Sequence, residues 1–89
     1  MQHIVKRKGH TEPFDERKAY ASIYAACQSV REPAGSAELI AERVVTDLKK
    51  WIAKKHEVTA NDIRRQAAQH LHAYNPDAAY MFMHHRIVW

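Results

Sequence analysis

The chain has 89 residues, 46% of them hydrophobic and 27% charged, with a formal charge of +4 and a pI near 9.4. Such a length supports one modest core and excludes two, the composition excludes disorder, and apolar runs of only a few residues exclude a membrane span. A single cysteine, Cys27, excludes an internal disulfide and a cysteine-based zinc site within one chain; with no basic and apolar leader, the expectation is a reducing, cytoplasmic setting.

Residues 3–7, HIVKR, and 10–14, HTEPF, flank Lys8-Gly9, and a short glycine-containing loop between such runs predicts a β-hairpin. Pro13 suits only the end of an edge strand. Asp15 is the predicted N-cap of a first helix, with Glu16 in the first turn where the helix dipole favours acids. Ala19, Ile23, Ala26 and Val30 recur at helical spacing over roughly four turns, and Pro33 and Gly35 mark the stop. Ser36 is the expected cap of a second helix with the stripe Ile40, Val44, Leu48 and Trp51 or Ile52. Its opposite face, Glu42, Arg43, Asp47, Lys49 and Lys50, reads as solvated surface. Glu57-Val58 suggests a short third strand pairing with the hairpin. Thr59 caps a third helix with Asn61 and Asp62 in its first turn and Ile63, Ala67 and Leu71 inward. Asn75 and Pro76 open a fourth helix, one as cap and one at the first helical position, with Ala79, Tyr80, Phe82 or Met83, and Ile87 packing. The order predicts one α+β domain over residues 1–89: a small antiparallel hairpin or three-stranded sheet covering a cluster of four helices.

The densest positive charge, Lys6, Arg7 and Lys8, sits beside Gly9. Lysines on an edge strand guard against aggregation; the alternative is a phosphate clamp in which arginine forks onto two oxygens and lysine acts as a point charge. Adjacent strand residues face opposite ways, so Lys6 and Arg7 share a ligand only where it wraps the hairpin end or the strand twists. Asp15 serves as a cap and Glu12 and Lys18 as surface charges, or the carboxylates accept hydrogen bonds from a base or sugar. His70 and His72 lie two apart and His84-His85 are adjacent, so none has the spacing of a helical metal pair. Tyr20 and Tyr24 form an i, i+4 pair suited to packing, and Tyr80 and Phe82 are candidates to border an adenine ring or to pack. No serine has an evident histidine–acid arrangement and Cys27 lies mid-helix on an inward face, so neither a catalytic nor a metal site is expected.

The run IVKRKGHTEPFDERKAYASIYAA resembles the opening signature of the ATP-cone, a regulatory nucleotide-binding module at the start of many ribonucleotide reductases and in a bacterial repressor of reductase genes. The matching positions are Val5, Lys6, Arg7, Gly9, Glu12, Phe14, Asp15 and Lys18. VTANDIRRQAAQHL, led by Thr59, resembles the family's third helix, and DAAYMFMHHR its closing helix, with Arg86 as the trailing basic residue. The resemblance implies ATP or dATP as effector, its phosphates on Lys6, Arg7 and Lys18 and its nucleoside near Val5, Glu12 and Asp15, with Mg2+ as an accompanying ion. Some family members carry histidine near the sugar where this chain has Arg64, which removes that basis for telling ATP from dATP and adds a phosphate ligand. No P-loop is present.

The function expected from this resemblance is allosteric: a non-enzymatic ATP- or dATP-sensing domain that controls a partner, ribonucleotide reductase or a regulatory protein, or its own oligomeric state. Two other readings compete. TANDIRRQAAQHL, with Arg64 and Arg65 near its start, passes for a DNA-recognition helix; the long lysine-rich KKWIAKKHE before it and the hairpin signature fit a helix-turn-helix poorly. A protein-interaction domain without ligand is the third.

Overall fold

The computed structural model describes the backbone of residues 3–5, 11–55 and 57–84, and the side chains of residues 14–55 and 57–84. Two short strands, β1 (His3–Val5) and β2 (Thr11–Pro13), precede α1 (Glu16–Ser29) and α2 (Ala34–Ala53). A two-residue strand, β3 (Val58–Thr59), leads into α3 (Ala60–Tyr74), and α4 (Pro76–His84) follows.

The helices form where the apolar spacing places them. Ala19, Ile23, Ala26 and Cys27 of α1 are buried, as are Ile40, Val44, Leu48 and Ile52 of α2 and Ile63, Ala67 and Leu71 of α3. In α4 the buried residues are Ala78, Ala79 and Phe82. The closest helix pairs are α1–α2, α2–α3, α3–α4 and α4–α1, a closed ring around one core. Alanines at Ala19, Ala37, Ala41, Ala67 and Ala78 are fully buried, and their small side chains let helix axes approach closely. Larger side chains, Phe82, Ile23, Leu48 and Ile63 among them, fill the space between.

The expected α+β architecture is corrected. Among residues 14–55 and 57–84, 83% are helical and the one strand is β3. The strands make a fringe in the order β2-β1-β3, and β3 runs parallel to β1, so the expected antiparallel sheet covering a helix cluster is not what forms. The strands contact one another and, through β3, the start of α3. Segments of three, three and two residues are too short to bury an alternating apolar face as a layer does. The four helical stripes cover each other instead. Among residues with described side chains, Val58 is the only core member outside a helix.

Three local expectations also change. The second helix starts at Ala34, with Pro33 as N-cap and no side-chain cap bond, and Ser36 lies inside it. Proline's φ of −55° leads directly into the helix. The break before it is made by Val30–Glu32: Arg31 has φ 64°, and the Arg31 and Glu32 amides donate to Gln28 O and Cys27 O, both at 3.0 Å. That is a Schellman closure with a non-glycine residue in the left-handed position. Tyr80 is 63% exposed rather than packed, while Ile87 lies outside the described residues.

Candidate functional site

The β3–α3 junction is built on Thr59. Its β-branched side chain suits a strand, and its hydroxyl suits a cap. As the last residue of β3 it stands in register with Val5, which on the other side pairs with Thr11. As N-cap, its Oγ1 accepts from the Asp62 amide at 3.0 Å, and Asp62 Oδ2 accepts from the Thr59 amide at 3.2 Å. This closed capping box holds the Asp62 carboxyl below its ordinary range: the Thr59 amide contributes most, then the Thr59 hydroxyl, with lesser help from Arg65 and Lys55. The sequence identified the cap but not its reciprocal half, which the D three residues after T signals.

The start of α1 follows β2 by two residues. Asp15 is extended at φ −100° and ψ 99°, and its Oδ1 accepts from the Arg17 and Lys18 amides at 3.0 and 3.2 Å. Lys18 is exposed. Glu16 is tied to Lys49 of α2 at 2.8 Å. Glu12 lies in β2 opposite Ile4, so the fringe links α1's entry through β1 to α3's entry. Of Val5 and Glu12 only the backbone is described, and Lys6, Arg7 and Arg86 lie outside the described residues.

Arg64, in the second turn of α3, extends to the far end of α4, where Nη2 donates to Met83 O at 2.7 Å. Its Nε is buried with no hydrogen-bond partner among the described residues. The structure thus brings Val5, Thr11 and Thr59 side by side through backbone register. The described hydrogen bonds do not join Asp15, Thr59 and Arg64: Asp15 bonds within α1, Thr59 with Asp62, and Arg64 with α4. Met83 escaped sequence reasoning because it acts through a backbone carbonyl, which carries no sequence signal.

Along α3 and α4 runs a groove of about 540 Å³ lined by Ala68, Gln69, His72, Tyr80, Met83 and His84 among others. The Tyr80 and His84 rings lie 4.1 Å apart in it. Phe82, the other aromatic weighed for a base, is fully buried and belongs to the core. At the opposite turn, Asn75 caps α4 by accepting from the Ala78 amide at 3.0 Å and donates to Glu32 Oε1 at 2.9 Å. His70 lies 3.8 Å from Asp47 and 3.3 Å from Gln66, joining α2 to α3. Among the described residues no group of three or more His, Cys, Asp or Glu is placed to hold a metal ion. No described helix is long and apolar enough to cross a membrane.

A family model described as the ATP cone domain matches residues 2–89, nearly the full length of the chain. A search of curated proteins finds no match. With that match extending from β1 past α4, the chain belongs to the ATP cone domain family.

Proposed function

We propose that this chain senses ATP and dATP and, by binding them, controls a partner protein or its own assembly, in connection with ribonucleotide reductase activity or expression. The observation that carries the reading is the family match over residues 2–89, since ATP-cones are regulatory modules whose effectors are ATP and dATP. Lys6, Arg7 and Lys18 clamp the phosphates, Val5, Glu12 and Asp15 face the nucleoside, and Thr59, Arg64 and Arg86 complete the site. The β2-β1-β3 register supports this grouping, because it ties the strand that ends at Val5 to the entries of both α1 and α3. Regulation follows from linkage: a nucleotide that prefers one conformation or oligomer moves the equilibrium by the difference in its affinities.

The test is thermal unfolding with nucleotide. At one hundred times Kd the bound form gains about 2.7 kcal/mol, which is roughly 10–20 °C for a chain of this size. Micromolar ATP or dATP raises Tm, and Lys6→Ala or Arg7→Ala removes the shift. Stabilisation by duplex DNA in a salt-sensitive manner, with none from nucleotide, replaces this reading with the DNA-binding one.

A further inference from the structure

We propose that Arg64 is a two-position coupling residue: its guanidinium clamps the C-terminal end of α4 when the nucleotide site is empty and transfers to the triphosphate when it is filled. The proposal rests on the nucleotide-sensing function above and adds the route by which binding reaches the α3–α4 face.

The guanidinium edge formed by Nε and Nη2 is the fork that meets two oxygens of one anion side-on. Here the two prongs are treated differently. Nη2 holds the Met83 carbonyl at 2.7 Å, and Nε is buried without a hydrogen-bond partner among the described residues. A buried donor left unmade is costly, and a neutral carbonyl satisfies one prong only. A phosphate offers two charged oxygens, pairs both prongs, and competes with Met83 for Nη2. Occupancy of the nucleotide site therefore favours the conformer in which Met83 is released.

Met83 also makes the readout. Its carbonyl takes the Arg64 bond, and it lines the groove with Tyr80 and His84. With the clamp gone, the last turn of α4 loses its one described side-chain hydrogen bond to α3, and the groove between the two helices changes width. Arg64 is thus a positioning residue for the groove, whose two states give the coupling a physical carrier.

The test is amide hydrogen exchange of α4 in the full chain, with ATP and without, alongside calorimetry. In wild type, saturating ATP speeds exchange in the last turn of α4 by about tenfold, the order of one hydrogen bond to a charged group. Without ATP, Arg64→Lys already shows that faster exchange, because its Nζ ends one bond short of the Nη2 that reaches the Met83 carbonyl; Arg64→His, shorter still, behaves likewise and guards against a folding defect in one variant. In both variants ATP binds more weakly and, at saturation, adds no further change in α4. Binding heat in wild type with unchanged or slowed α4 exchange overturns the coupling alone. So does normal exchange in nucleotide-free Arg64→Lys. No binding heat from ATP or dATP overturns the nucleotide-sensing function and the coupling with it.

Discussion

Replacing Arg31 with glycine should make the protein more stable. Arg31 closes α1 at φ 64°, with its own amide and that of Glu32 completing the Schellman pattern. For an L residue the left-handed conformation costs roughly 1–2 kcal/mol, because Cβ crowds the carbonyl oxygen. Glycine avoids that cost but has more freedom to lose on folding, which returns about 0.5–1 kcal/mol. Since the Arg31 side chain is exposed, no buried contact is lost. The net gain is about 0.5–1 kcal/mol, a rise in Tm of roughly 2–8 °C. Thermal melts by far-ultraviolet circular dichroism measure it. Arg31→Ala separates the charge from the backbone: it should stay at or below wild type, and Arg31→Val should fall further because a β-branched residue tolerates this region worst. Glycine no better than alanine would refute the strain argument.

Two further outcomes follow from local chemistry. Thr59→Ala removes the hydroxyl that accepts from the Asp62 amide at 3.0 Å and leaves the backbone amide that donates to Asp62 at 3.2 Å; it should cost about 1 kcal/mol, with Thr59→Ser close to wild type in chemical denaturation. The Asp62 pKa is depressed in the folded chain, so its contribution is present above the unfolded value and is lost as pH falls through the folded one; in Thr59→Ala the larger share, from the residue-59 amide, remains and the hydroxyl's share is lost, so the acid-side decline in Tm should be slightly shallower. The Cys27 thiol, fully buried, is pushed up to about 11 chiefly by burial and secondarily by Glu32. A thiol reagent near neutral pH should therefore label the native chain far more slowly than the urea-unfolded one.

Where an element is decided by its own residues, the sequence was readable. Thr59 and Asn75 cap the helices they precede because each side chain bonds to an amide three residues away, and the Ile40, Val44, Leu48, Ile52 stripe faces inward because the pattern has helical period. The nucleotide-binding regulatory character was readable through the resemblance of the opening block, which the family match supports. What failed depended on distant partners. The strand-forming runs 3–7 and 10–14 were expected to make a covering sheet, yet helix-on-helix burial leaves the strands at 3–5 and 11–13 only a fringe. Ser36 looked like a cap, but Pro33, three positions before it, already sets the helix. The Arg64 bond to Met83 was not legible because nothing in its neighbourhood announces a carbonyl 19 residues away.

The two ends of α4 are held in unequal ways, and that asymmetry decides where binding can act. At the turn end, Asn75 donates its amide to Leu71 O, accepts from the amides of Ala78 and Ala79, and meets Glu32 across the fold. Glu32 itself is fixed by the Arg31 closure of α1, so this end is anchored to two helix turns at once. Phe82, buried in the core, holds the middle of the last two turns. At the His84 end, the described tie is the Arg64–Met83 bond. Nine residues at 1.5 Å each make α4 a lever of about 13 Å. On the exchange of the Arg64 bond proposed above, a lever pinned at Asn75 moves most at Met83, and Arg31→Gly, by firming the pivot, should leave that displacement intact while raising global stability. A regulatory module gains from that arrangement, because the energy of one guanidinium changing partners is small against the core and large against the last turn of a short helix.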